Sequence, residues 1–185
     1  MRTAIVGVCL PLDRHRTALV ARRICALTHA ASQCVESAVL WTKAVRRAAI
    51  DRVYDLEGGP DLISAESRTK WAAAIREASR KEPAEFSNTG YTVTALQAAW
   101  SAVWSARTLP ADSRFDAAIG SILRAGDNTD TTAAIAGGLL GAMLGSRAIP
   151  RYEELQGWPC PPGTKAAAWL AEMEQRIASR SRRDC

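Results

Sequence analysis

Oxygen-bearing side chains crowd into the six residues Asp127-Asn128-Thr129-Asp130-Thr131-Thr132, just ahead of the small-residue run Ala133-Ala134-Ile135-Ala136-Gly137. Two kinds of chemistry suit that composition. Asp, Asn and Thr are the preferred helix N-caps, and acidic groups sit well at the positive end of a helix dipole. The same carboxylate, amide and hydroxyl oxygens, converging where a loop enters a helix, also suit a hard cation such as Mg²⁺, which takes oxygen ligands in octahedral geometry. A cap uses one such side chain and this stretch supplies several, so spacing leaves both readings open.

The run that follows should be a helix. Gly137, Gly141 and Gly145 recur at i, i+4 and i+8, a smooth stripe along one face. A helical glycine costs about 1 kcal/mol relative to alanine, so three of them call for a packing reason. The expectation is a central helix tightly surrounded by its neighbours, forming a rigid mount for the polar cluster at its start.

Helical spacing recurs through the rest of the chain. Val35, Ala38, Thr42, Val45 and Ala49 share a face, as do Val93, Leu96, Trp100 and Val103, then Ala118, Ile122 and Leu123, and finally Leu170, Met173 and Ile177. No segment sustains a period of two between hairpin turns. Breakers at Pro11–Asp13, Gly58-Gly59-Pro60, Lys81–Gly90 with its Asn88-Thr89-Gly90 turn, Leu109–Asp112, Pro150 and Gly157–Gly163 divide the chain into about seven or eight helices. The fold class predicted is all-α, one domain over 1–185, with the body at 1–158 and a C-terminal helix and basic tail at 163–185. Trp41, Trp71, Trp100, Trp104, Trp158 and Trp169 read as core or groove-lining packers, with Trp100 and Trp104 stacked at i, i+4.

Composition sets bounds. The chain has 185 residues, 48% hydrophobic and 23% charged, with a net charge of +5, as in an ordinary globular protein. Its basic residues are scattered and form no stripe interleaved with aromatics, which ranks a basic helical nucleic-acid-binding protein last among the functional readings. The five cysteines form no CxxC pair, so reduced thiols in a cytoplasmic protein are the expectation. The apolar run Ala4–Leu12 is broken by Pro11 and followed at once by charges, unlike a signal peptide. No uncharged stretch reaches the ~20 residues of a membrane span.

The polar cluster and its helix resemble the closing motif of the ADP-ribosylglycohydrolase family, Gly-Asp-x-Asp-Thr followed by Ala-Ala-Ile-Ala-Gly. The matching residues are Gly126, Asp127–Thr131 and Ala133–Gly137. Other segments are similar in the same order: Met1-Arg2 with Gly7, Leu27-Thr28-His29-Ala30, Asn88–Val93 with Leu96, and Ala148-Ile149-Pro150 with Tyr152–Leu155. The likeness covers Met1 to about Trp158. It implies a compact helical domain that cleaves the glycosidic bond between ADP-ribose and an acceptor, usually a modified protein side chain. Two magnesium ions in a cleft of the helical domain would position the ribose. Carried over by motif, Asn128, Asp130 and Thr131 are the metal-ligand positions, with Asp127 as a substitute for Asn128 if the loop shifts register. His29, Tyr91 and the adjacent Gly90 are the substrate-cleft positions.

Two departures qualify that expectation. The family's second ligand motif, Thr-Asp-Asp, occurs nowhere in the chain, and the Met-Arg that opens it is internal in typical members. The resemblance therefore implies an N-terminally truncated, C-terminal portion with half an active site, inactive alone and holding one ion or none. Asn128 also stands where an aspartate is usual, removing one negative charge. The alternative function is a non-catalytic remnant or interaction module of the same fold. Its apolar faces, unpartnered after truncation, would take a partner chain or self-associate.

Overall fold

A computed structural model describes residues 3–9, 13–155, 160, 161 and 163–181, with side chains as far as Arg176. It is all-helical: α1 (Ala4–Cys9), α2 (Arg14–Ala26), α3 (Ser32–Asp51), α4 (Arg68–Ala78), α5 (Thr92–Ala106), α6 (Ala111–Ala125), α7 (Thr129–Leu144) and α8 (Ala166–Ser181), joined by loops and short 3₁₀ turns. No strand occurs among the described residues, as the periodicity predicts. The coordinates divide into two compact units, 1–148 and 149–185. The second holds α8, packed against the turn Tyr152–Glu154. The first holds α1–α7 and the polar cluster.

The helix at the centre of the first unit is α3, which α1, α2, α5 and α7 surround. It is buried without interruption from Glu36 to Val45, polar Ser37, Thr42 and Lys43 included. The stripe Val35–Ala49 marks only part of that surface, because a helix enclosed all round has no single apolar face. The buried charged groups here have partners, as burial demands, whereas the Trp41 indole N–H has none among the described residues. Glu36 accepts hydrogen bonds from Ser64 Oγ at 2.7 Å and Trp71 Nε1 at 2.9 Å. Burial alone would push the Glu36 carboxyl up, but the hydrogen bonds from Trp71, Ser64 and Ser67, with the charge of Arg22, outweigh it and hold the group below its usual range. Lys43 reaches out of the core to an ion pair with Asp55, whose other oxygen accepts from Gly58 N at 2.7 Å.

Helix ends follow local chemistry. Asp13 caps α2, accepting from His15 N at 2.9 Å and Arg16 N at 3.0 Å. At the far end of α3, Arg52 turns left-handed with φ 56°. Its guanidinium then closes the C-terminal end of α7, donating to the carbonyls of Ala142 and Met143.

Three expectations are corrected. The run after Arg2 is not merely a lead-in to the first helix at Pro11–Asp13, for Ala4–Cys9 is itself a helix. Gly7 permits this, since a Cβ there would stand 2.6 Å from the Thr42 carbonyl oxygen of α3. The glycine stripe is not the tightly packed face of α7. A Cβ added at Gly137, Gly141 or Gly145 would meet nothing within 4 Å, and the close approach falls instead at Gly138, against Ala4 of α1. Gly145 lies outside the helix, as its C-cap at φ 80°. Lastly, Leu123, Leu170 and Met173 share helical spacing with their neighbours yet are exposed, whereas Ala118 and Ile122 are buried as expected. The tryptophans behave as read: Trp41, Trp71 and Trp100 are buried, and Trp100 stacks on Trp104 with centroids 5.2 Å apart. Trp158 lies outside the described residues.

Candidate functional site

The loop after α2, the first turns of α3 and α5, and the loop leading into α7 enclose a cleft of about 430 Å³. Each wall follows from a helix boundary. The α2 helix ends at Ala26, and its Cys25 carbonyl accepts the N–H groups of Thr28 and His29. That turn places Thr28 and His29 on the rim, with His29 Nδ1 2.9 Å from Thr28 Oγ1. The second wall is the start of α3, presenting Cys34, Ser37 and Trp41. The third is the turn Asn88–Tyr91, closed by Tyr91 N donating to Asn88 O at 2.9 Å. It carries Gly90 and Tyr91 into the cleft, and the Tyr91 hydroxyl donates to Gln33 Oε1 across the mouth. Ser37 Oγ and Thr92 Oγ1, 2.8 Å apart, join α3 to α5. The fourth wall is the head of α7, with Asn128, Thr131 and Ile135.

The motif positions separate on inspection. His29, Gly90, Tyr91, Asn128 and Thr131 line this one cleft although they come from three distant parts of the chain. Asp127 and Asp130 are not in the lining. Asp130 is exposed in the first turn of α7. Asp127, in the left-handed region at φ 61°, turns its carboxylate onto the Thr89 backbone, whose N–H donates to Oδ2 at 2.6 Å. Asn128 is the residue before α7, yet its side chain makes no capping bond to the helix. Its amide Nδ2 lies 3.4 Å from the Thr89 carbonyl instead.

The electrostatics of the cleft come from backbone. No Asp, Glu, Lys or Arg lines it. Three helices, α3, α5 and α7, contribute residues of their first turns to the lining, and none of the three has a side-chain cap. The first N–H groups of a helix lack intrahelical partners, and aligned peptide dipoles put about half a positive charge at each such end. The lining itself is uncharged and rich in hydroxyl and amide groups, from Thr28, Ser37, Thr89, Tyr91, Thr92, Asn128 and Thr131.

The donor set does not fit a pair of magnesium ions. Mg²⁺ is held through carboxylates with little tolerance in geometry, and the cleft offers only the neutral oxygens of Asn128 and Thr131 from the expected ligand positions. Asp127 is engaged with Thr89, and no group of three or more His, Cys, Asp or Glu side chains among the described residues is arranged to hold a metal.

Thr89, Ser37 and Cys34 belong to the cleft and were not among the site residues expected from sequence, and Trp41, expected as a core or groove-lining packer, lines it too. Ser37 and Trp41 lie on a helix whose pattern announces only burial. Thr89 sits in a legible turn, but nothing in sequence points to its partner 38 residues further on.

The sequence profile of the ADP-ribosylglycohydrolase family matches this chain over residues 1–185, past the reach of the individual motifs, and the chain belongs to that family. No curated protein and no solved structure matches it. Among the described residues, no helix is long and apolar enough to cross a membrane.

Proposed function

We propose that the cleft binds an ADP-ribosyl group, and that this chain on its own holds the group without cleaving its glycosidic bond. The observation that carries the reading is a pocket free of charged side chains whose lining includes the first turns of three helices without side-chain caps. A diphosphate placed there would receive backbone N–H groups and favourable dipoles. Tyr91, exposed at the cleft, offers aromatic surface to a base or sugar, and His29, Thr131 and the Asn128 amide offer polar contacts around it.

Cleavage asks for more. Hydrolysis at an anomeric carbon needs a proton for the leaving group and an activated water, typically from two carboxylates. No carboxylate lines the cleft, and His29 is its one imidazole. The magnesium pair expected from the family would find Asn128 and Thr131, with Asp130 nearby in sequence, but no acidic ligand within the lining. No step is therefore assigned to it. This favours the non-catalytic alternative over an autonomous hydrolase.

Calorimetry tests both halves. Titrating ADP-ribose into the protein should give saturable heat without added Mg²⁺, stronger than ribose 5-phosphate, which lacks the diphosphate. No heat at millimolar ADP-ribose would sink the binding reading. Release of ADP-ribose from an ADP-ribosylated peptide by this chain, with Mg²⁺ present, would sink the claim that it only binds.

A further inference from the structure

Thr89 is a small, buried residue in an otherwise exposed turn, at 5% exposure. Its polar groups all face one neighbour, the loop into α7. Its N–H donates to Asp127 Oδ2 at 2.6 Å, its Oγ1 accepts from Asn128 N at 3.0 Å, and its carbonyl lies 3.4 Å from Asn128 Nδ2. Backbone and side chain of one threonine thus meet two consecutive residues of the other loop. Both loops are also strained at this point. Asn88, just before Thr89, has φ 57°, and Asp127, just before Asn128, has φ 61°. The left-handed region is uncommon for residues other than glycine and persists where surroundings hold it.

The clamp has a chemical consequence. Asp127 and Asn128 are adjacent, and either could in principle face the cleft. With the carboxylate drawn onto the Thr89 N–H, Asn128 is the one that lines it. An aspartate there would repel a bound diphosphate, whereas an amide does not.

We propose that Thr89 is the positioning residue of the cleft: it draws the Asp127 carboxylate aside and sets the Asn128 amide against the ligand. The functional half of this rests on the ADP-ribosyl reading above. The clamp itself does not need a ligand, so the two can fail separately.

Two variants and two readouts decide it. Thr89→Val keeps the shape and the backbone bond to Asp127 but deletes Oγ1, the acceptor of the Asn128 N–H. Thr89→Ser keeps that acceptor. Without ligand, hydrogen exchange at the Asn128 amide should accelerate roughly tenfold or more in Thr89→Val and return towards wild type in Thr89→Ser, with amides in the middle of α3 unchanged. With ADP-ribose, affinity should fall about tenfold in Thr89→Val and recover in Thr89→Ser, the size expected for one lost hydrogen bond. Unchanged Asn128 exchange in Thr89→Val overturns the clamp. Accelerated exchange with unchanged affinity overturns the positioning role. If α3 amides also accelerate in Thr89→Val and Thr89→Ser does not rescue, Thr89 is merely structural and the proposal falls. If wild type fails to bind ADP-ribose at all, the cleft reading falls with the positioning role, and the exchange data still show whether the clamp exists.

Discussion

Glu36→Gln removes one charge from the core while preserving the shape of the group that carries it. Glu36 is 4% exposed, with Ser64 Oγ at 2.7 Å and Trp71 Nε1 at 2.9 Å donating to its carboxylate and the Ser67 hydroxyl a weaker third donor. Glutamine can keep both contacts, with its oxygen on the Trp71 N–H and its amide donating to Ser64 Oγ. What it loses is the charge on the acceptor. Hydrogen bonds to ionised groups contribute roughly 1.5–3 kcal/mol against roughly 0.5–1.5 for neutral ones. Two such bonds lose about 2 kcal/mol together, less whatever the neutral amide saves in desolvation. For a chain of this length 1 kcal/mol is worth about 2–4 °C, so thermal unfolding at pH 7 should fall by about 4–8 °C. Glu36→Ala should fall further, because it orphans the indole N–H and leaves a cavity. The pH dependence supplies a sharper control. The folded Glu36 carboxyl is held below its ordinary value of 4.5, so its contribution is fully present above that pH and is lost as pH falls through the lowered folded value. The gap between wild type and Glu36→Gln should therefore be widest near neutrality and close on acidification below about pH 4. Equal melting temperatures at pH 7, or a gap that stays constant down to pH 3, would refute the reasoning.

Asp55→Ala should destabilise more than Lys43→Met, by about 3 kcal/mol in urea unfolding. It strands an ammonium whose side chain is only 7% exposed, whereas Asp55 without Lys43 keeps Arg47 and the Gly58 N–H. Gly90→Val should lower ADP-ribose affinity by about tenfold or more, with little change in melting temperature. Gly90 lines the cleft, and a Cβ there meets only Asn88 Oδ1, at 3.9 Å, so the protein tolerates the added methyl groups where a bound ligand would meet them; unaltered affinity by calorimetry would place the ligand elsewhere. Cys25 and Cys34 both line the cleft and form no disulfide. Saturating ADP-ribose should slow their alkylation by a maleimide, read by mass spectrometry of the modified peptides, and leave the exposed Cys9 unaffected.

How much of this was readable in advance depends on how local the cause is. The helices were legible because apolar spacing and breakers are local, and the Asn88–Tyr91 turn because Asn and Gly declare themselves. The centre of the fold was not. The glycine stripe of α7 drew attention as a packing surface, yet α3 is the enclosed helix, and its apolar stripe marks one face without showing that Glu36, Ser37 and Lys43 are buried as well. The polar cluster shows the same limit at the site. Composition correctly marked Asp127–Thr131 as a place with too many oxygens for one cap, and the motif led to five residues that do share a cleft. Which oxygens face inward is decided elsewhere, by the backbone N–H of Thr89. A main-chain donor has no signature in sequence, since every residue except proline carries one. The consequence runs against the usual inference from an acidic motif: two aspartates in the motif do not make an anionic pocket when one is tied to a neighbouring turn and the other is exposed. The cleft presents no charged side chain to a ligand, and on the proposed reading the first turns of α3, α5 and α7 supply polar donors to a diphosphate instead.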